Sequence, residues 1–304
     1  MRKFIFIRLL YMIVVVVFAT LFVFLMSRAA GDPRTLYLSE YTTQADWDKW
    51  GEEMGLDKPI FVQYITWLGK AMTLEFGTSL RDQIDAFDVI KARIPATLKL
   101  SGAALFFATI VGVPLGVLSA VRRGSVWDYA ARIFSLGGQS VPGFWLGIML
   151  IMVFAVWLEL LPTSRLGGPD HYILPSIALG WSSAAGFTRL IRSAMLEILD
   201  SEYVVLARAK GVSNRVIIWK HAFRNAMIVP LTFSGLLIAS YITGTVVTET
   251  VFGIPGLGRL AVDAVFNNDF PVITGVVLIF TLIYVVMNLL VDIAYAVVDP
   301  RIRY

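Results

Sequence analysis

Few residues in this chain could do covalent chemistry. Its 304 residues include no cysteine and only two histidines, His171 and His221. Disulfides, thiolate metal sites and cysteine nucleophiles are therefore excluded, and two distant histidines leave little for zinc. Ser140, Ser183 and Ser234 offer hydroxyls without an evident histidine or aspartate partner, which argues against an intramembrane protease. No Gly-x-x-x-x-Gly-Lys-Ser/Thr phosphate loop occurs, since Gly69-Lys70 is followed by Ala71. What remains is a mechanical candidate, Glu202-Tyr203-Val204-Val205-Leu206-Ala207-Arg208-Ala209-Lys210-Gly211, which runs on to His221-Ala222-Phe223-Arg224-Asn225-Ala226. Asp200 or Ser201 can cap a helix there. Glu202 in its first turn and Lys210 in its last both suit the helix dipole. Gly211 stands where a left-handed residue ends a helix. Tyr203, Leu206, Ala207 and Lys210 then share a face, and Ala207 and Ala209 keep the profile slim. Ser213 offers a second cap, and Val216, Ile217, Trp219 and Phe223 give the next helix an apolar side.

The elements around this segment are apolar. Hydrophobic residues make up 57% of the chain and charged residues 16%. Soluble domains average roughly 45–50% and 25%, so the composition points to membrane embedding. Leu9–Ser27, Leu100–Val121, Ile133–Leu158, Tyr172–Thr188, Ala226–Thr248 and Phe270–Val291 each lack Asp, Glu, Lys and Arg. A helix needs about 20 such residues to cross the hydrocarbon. The fourth stretch spans only if its helix continues into 189–199, where Leu190, Ile191, Ala194, Met195 and Ile198 form a stripe. Six spans predict both termini on one side. The N-terminus (Arg2, Lys3, Arg8), the 122–132 loop, the 189–224 loop and the tail (Arg301, Arg303) together carry fifteen Lys/Arg. The short loops opposite carry only Arg165 and Arg259. The excess predicts cytoplasmic termini. Ser27, Ala29 and Ala30 resemble a signal-peptide end, but the apolar run is longer than a signal core, so the first helix is expected to stay uncleaved.

The segment 28–99 is predicted to lie outside, with helices at Gln44–Met54, Ile60–Leu74 and Asp85–Arg93, the last leading through Pro95 into the second span. Gly55 and Pro59 follow the first of these as stop signals. Small residues in spans two and three, among them Gly112, Gly116, Gly137, Gly138 and Gly143, predict close helix packing. Glu159, Glu249, Asp269 and Asp292 fall at span ends, where snorkelling or water would accommodate them. With no carboxylate deeper than that, an ion-coupled secondary carrier is the weaker alternative. Glu249 to Gly258 mixes a carboxylate, Pro255 and three glycines, a composition for a bent or re-entrant segment.

Glu202-Tyr203-Val204-x-x-Ala207-Arg208-Ala209-Lys210-Gly211, His221-Ala222-x-Arg224-Asn225-Ala226 and Pro230 resemble the conserved loop of ABC importer permeases of the dipeptide/oligopeptide type. Nearly the whole chain follows the same pattern. Gly31-Asp32-Pro33, Gly55-Leu56-Asp57-Lys58-Pro59, Phe76-Gly77-Thr78-Ser79 and Arg93-Ile94-Pro95-Ala96-Thr97-Leu98 match in order. So do Leu161-Pro162, Ile173-Leu174-Pro175, Glu249-Thr250-Val251-Phe252, Pro255-Gly256-Leu257-Gly258 and Asp299-Pro300-Arg301. One departure is Val205, where the wider family has a glutamate that peptide-type members often lack. The resemblance implies an all-α integral membrane permease that is not itself an enzyme. Residues 1–27 would form the N-terminus and first span, 28–99 an exterior helical segment, and 100–304 a five-helix core with a cytoplasmic loop at about 189–225. It implies a second, homologous permease, two cytosolic ATPases that bind ATP and Mg, an external solute-binding protein and a prokaryotic plasma or inner membrane. It implies no nucleic acid. Glu202, Tyr203, Leu206, Ala207, Ala209, Lys210 and Gly211 would form the coupling helix. Glu249, Phe252, Pro255, Gly256 and Gly258 would lie near the external mouth of the path. Peptide-type permeases also resemble importers of nickel, glutathione and oligosaccharides, so the cargo stays open.

Overall fold

The computed structural model describes residues 2–29, 34, 43–53, 55–163 and 167–298. The Gly31-Asp32-Pro33 and Asp299-Pro300-Arg301 motifs, and Arg165, lie outside them. Among the described residues the structure is helical, with one isolated bridge between Thr78 and Asp85. The helices are α1 (Arg2–Ala29), α2 (Gln44–Glu53), α3 (Ile60–Met72), α4 (Ala86–Val121), α5 (Val126–Ser140) and α6 (Gly143–Leu150). They continue as α7 (Ile173–Leu199), α8 (Glu202–Ala209), α9 (Asn214–Val216), α10 (Arg224–Ala226), α11 (Ile228–Gly244), α12 (Val246–Val251), α13 (Leu257–Phe266) and α14 (Phe270–Val298).

Among the described residues, three helical stretches are long and apolar enough to cross a bilayer alone: Phe6–Ala29, Ala86–Val121 and Phe270–Ile293. The third helix expected in 28–99 and the second span are one helix of 36 residues, and Pro95 does not interrupt it. Pro95 lies in the third turn, past the first amides that lack partners, so the helix continues despite the missing amide that would otherwise donate to the Lys91 carbonyl. The stretch 133–158, expected as one span, is instead broken. Helices Val126–Ser140 and Gly143–Trp157 meet at 106° across Val141-Pro142. Pro142 is the N-cap of α6, and its fixed φ suits that position. The far arm then passes into a π-helix at Ile151–Trp157. The fourth stretch does extend past Thr188, since α7 is continuous from Ile173 to Leu199.

The chain divides into two compact units, residues 1–96 with 255–286, and residues 97–254 with 287–304. The first has a core of Phe76, Val89, Ile90, Leu257, Val272 and Val276 among others. The second centres on Ala108, Ala184, Phe187, Ile191, Met195, Val204 and Ile217. Small residues make that second core possible. A Cβ on Gly112 would stand 2.6 Å from the Ala184 carbonyl oxygen, and one on Gly138 would stand 2.3 Å from the Ala185 Cβ. The expected close packing therefore holds at these two glycines, whereas Gly137 has open space around it.

Candidate coupling segment and gate segment

The coupling segment grows out of α7. Along that helix Ile191, Met195 and Leu199 are buried, so its polar half is carried outward on a packed stripe. Two ion pairs tie its end down. Arg192 Nε donates to Asp128 Oδ1 at 2.7 Å and its Nη2 to Oδ2 at 3.1 Å. Asp128 is 1% exposed. It also accepts from the Ser119 hydroxyl and from the Gly124 amide. Arg123 Nη1 pairs with Asp200 at 3.1 Å at the surface. A buried, fully bonded bidentate pair fixes geometry far better than an exposed one.

Beyond Asp200 the chain turns and α8 begins at Glu202. Ser201 is the N-cap residue with extended backbone, but its side chain makes no capping bond. Its hydroxyl instead donates back to the Ile198 carbonyl. Ser213 likewise occupies the N-cap of α9 without a side-chain cap. The C-terminus follows its expectation closely. Gly211 has φ +79°. Its amide donates to the Arg208 carbonyl at 2.9 Å, and the Val212 amide donates to Ala207 at 3.1 Å. This pair of bonds is a Schellman motif, which needs a left-handed residue at the glycine. Val212 packs against the core beneath, which completes the motif's apolar contact.

Only Val204 of α8 is buried. Tyr203, Val205 and Leu206 are 45%, 56% and 56% exposed, so the helix is seated by one side chain and presents the rest. Glu202, Ala209 and Lys210 are exposed and Ala207 is half-buried. The following segment is not the plain amphipathic helix expected from Ser213 onward. Ile217–Phe223 is π-helical, and the wider turn buries Ile217 and Ala222 while leaving Trp219 54% exposed. Asn225 Nδ2 donates to the His221 carbonyl at 2.8 Å and lies 3.3 Å from the Tyr203 hydroxyl, which ties this segment back to α8.

Of the candidate gate residues, 249–254 belong to the second unit and 255–258 to the first, and each part is described within its own unit. Within the second unit, α12 ends at Val251 and turns at Gly253, whose φ is +62°. Gly253 donates to Thr250, and Ile254 donates to Glu249. That is a second Schellman motif. Glu249 and Asp269 are not accommodated by snorkelling. They are 0% and 3% exposed. The Thr97 hydroxyl donates to Glu249 Oε1 at 2.6 Å. Asp269 accepts from the Ser79 hydroxyl, so both carboxylates are held by hydroxyl donors within their own units. Phe252 is fully buried, and a Cβ on Gly147 would meet its ring at 3.0 Å. Within the first unit Gly256 and Gly258 are buried and Pro255 is half-buried, where α13 begins. Of the candidate protease hydroxyls, Ser140 and Ser234 each donate to a carbonyl one turn back in their own helix. Among the described residues no group of three or more His, Cys, Asp or Glu could hold a metal.

Sequence reading missed Asp128, Arg192, Thr97 and Val204. For Asp128 a signal existed, because Ser125-x-x-Asp128 is a helix-start pattern and Ser125 does cap α5. Thr97 and Glu249 are 152 positions apart, and nothing local joins them.

Two family models cover this chain. Residues 112–304 match "Binding-protein-dependent transport system inner membrane component", and residues 1–101 match the N-terminal part of such membrane components. The oligopeptide transport system permease protein AppB of Bacillus subtilis is 42% identical over 294 residues, covering 92% of each chain. The dipeptide transport system permease protein DppB of Escherichia coli K12 is 40% identical over 283 residues, covering 83% of this chain and 84% of its own. A glutathione transport system permease protein, GsiC of Escherichia coli, is 37% identical over 298 residues, with 98% and 97% covered. A chain of the MetNI methionine ABC transporter in an inward facing conformation superposes with a TM-score of 0.57 at 18% identity, covering 69% of this chain and 96% of that one. The fold is thus that of an ABC transporter permease, and the chain belongs to the inner-membrane components of binding-protein-dependent transport systems.

Proposed function

We propose that this chain is one permease subunit of an ATP-driven, binding-protein-dependent importer of di- and oligopeptides. The observation that carries the reading is the uncovered face of α8, where Tyr203, Val205 and Leu206 are exposed beside a rigid glycine cap. The peptide cargo is supported by relatives that carry oligopeptide and dipeptide permease names. In this reading Glu202, Tyr203, Leu206, Ala207, Ala209, Lys210 and Gly211 seat in a cleft of one of two cytosolic ATPases, which bind the ATP and Mg. A second, homologous permease completes the path. An external solute-binding protein delivers cargo near Glu249, Phe252, Pro255, Gly256 and Gly258. Six spans leave both termini cytoplasmic and 28–99 outside. In this reading the first span ends near residue 27, and the five-span core occupies 100–304. Closure of the ATPases is transmitted through α8 into α7, as a change between two packed states.

The decisive experiment is reconstitution of the chain with its partners in proteoliposomes. Expected are binding-protein-stimulated ATP hydrolysis, peptide uptake, and no hydrolysis by the isolated chain. Robust hydrolysis by this chain alone would overturn the reading. Orientation is read by single cysteines at Asp46 and Asn214, since the chain has no background thiol. Labelling of the Asn214 site by an impermeant reagent from outside intact cells would reverse the topology.

A further inference from the structure

The first unit contains a cleft of about 630 Å³ that the transport reading does not use. It lies where two apolar helices end. Ser27 and Arg28 in the last turn of α1 form one side, and Phe270 and Pro271 at the start of α14 form another. These are the ends of the apolar stretches Phe6–Ala29 and Phe270–Ile293, so the cleft sits at the level where hydrocarbon gives way to headgroups.

Helix α3 closes the cleft, and its three faces have different surroundings. Tyr64 and Ala71 are buried. The Tyr64 hydroxyl lies 2.9 Å from Thr20 Oγ1, and the Phe24 ring packs on Tyr64 and Trp67 with centroids 5.6 and 5.7 Å away. A second face is apolar and uncovered, with Phe61 69%, Ile65 67% and Met72 78% exposed. Their i, i+4, i+11 spacing makes one stripe, as on helices that lie at a bilayer surface. The third face turns Gln63 and Lys70 into the cleft. Among the described residues, the charged ones lining the cleft are Arg28, Lys70 and Glu75, two cations against one anion. Gln63 donates its amide to the Leu56 and Lys58 carbonyls, while its Oε1 is buried and accepts no hydrogen bond from any described residue. Phe24, Trp67, Phe76 and Phe270 supply apolar walls.

We infer that this cleft holds the headgroup of an anionic glycerophospholipid. Its phosphate lies between Arg28 and Lys70, a headgroup hydroxyl donates to Gln63 Oε1, and the start of an acyl chain lies along the aromatic walls. The volume suits one headgroup, since small-molecule sites run from about 300 to 1,000 Å³. The exposed stripe of α3 is the argument for lipid as the occupant, because the same helix that lines the cleft presents an apolar face that no described residue covers. The inference rests on α1 and α14 being spans, and not on the cargo.

The test uses the full chain in nanodiscs made from equal parts phosphatidylglycerol and phosphatidylcholine, with retained lipid identified by native mass spectrometry. One phosphatidylglycerol should be retained over phosphatidylcholine by about fivefold or more, the effect expected of a single basic residue at a membrane surface. Lys70→Glu should erase that preference, while Lys58→Gln, an exposed residue outside the cleft, should keep it. Equal retention of both lipids, or an unchanged preference in Lys70→Glu, would overturn the site. So would displacement of the lipid by inorganic phosphate or by a dipeptide, which would mark a site for a free anion or for cargo. A chain that fails to enter the nanodisc sinks the span reading and the site with it, whereas uniform lipid retention sinks the site alone.

Discussion

Two short helices in the second unit end in the same way and are used in opposite ways. Glu202–Ala209 closes on Gly211 at φ +79°, and Val246–Val251 closes on Gly253 at φ +62°. Each cap makes the same two backbone bonds. Around the first cap nearly everything is exposed, and only Val204 is buried. Around the second, Thr248, Glu249, Phe252 and Ile254 are all buried. One device therefore serves a surface that must be complementary to something else, and an interior that must be complementary to itself. The expectation follows that changes at the buried end act on stability, and changes at the exposed end act on coupling.

The largest effect should come from the buried foot of the exposed helix. Asp128→Ala leaves Arg192 without its bidentate partner and strips the Ser119 hydroxyl and Gly124 amide of their acceptor. Breaking a buried pair from one side costs about 3–5 kcal/mol. Thermal denaturation in detergent should show a fall of many degrees, and membrane levels should drop. An unchanged midpoint would mean that α7 is held by packing alone. Next comes the buried cap. Glu249→Ala removes the carboxylate that accepts from the Thr97 hydroxyl, at a cost of about 1–3 kcal/mol, whereas Glu249→Gln can still accept that bond through its own Oε1. Equal loss in both variants would show that Glu249 acts through its charge and not through its bond to Thr97.

The exposed cap is separated from these by its readout. A Cβ on Gly211 would meet nothing within 4 Å, so any penalty there is conformational and not steric. Gly211→Val should cost more than about 1 kcal/mol locally, because a β-branched residue resists positive φ. Gly211→Asn should be much milder, since asparagine tolerates the left-handed region. The predicted signature is normal membrane insertion with loss of binding-protein-stimulated ATPase activity and uptake for valine, and largely retained activity for asparagine. Equal failure of both would mean that side-chain bulk at this position blocks a partner, which moves the explanation from the backbone to the interface.

This contrast also accounts for what could be read in advance. Helix α8 was legible almost to the residue, because its stop is a local backbone event that one glycine announces. Its start was legible too, though the serine expected to cap it bonds Ile198 instead. The uncharged stretches located the apolar helices for the same reason. The 106° break at Val141-Pro142 had a signal in Pro142 and Gly143, which composition alone cannot tell from packing glycines. The π-helices at 151–157 and 217–223 had none, since an inserted residue leaves no composition mark. The bonds of Asp128 to Arg192 and of Thr97 to Glu249 join residues 64 and 152 positions apart, and only the fold brings them together.

The smallest effects on stability should distinguish the slim side of α8 from the basic side of the loop that follows it. Ala207 is half-buried and Leu206 is exposed one position before it, so bulk at 207 projects beside the presented face. Ala207→Trp should leave insertion intact and remove most uptake, by keeping the partner at a distance. Arg215→Ala lies past the cap on an exposed position, where substitutions usually stay within about 0.5 kcal/mol. It should lower neither membrane level nor uptake appreciably. Uptake and ATPase activity measured side by side in vesicles decide between the two. If Ala207→Trp transports normally while Arg215→Ala fails, the partner reads the basic side of the loop and not its slim apolar face, and the docking surface would have to be redrawn around Arg215, Trp219 and Lys220.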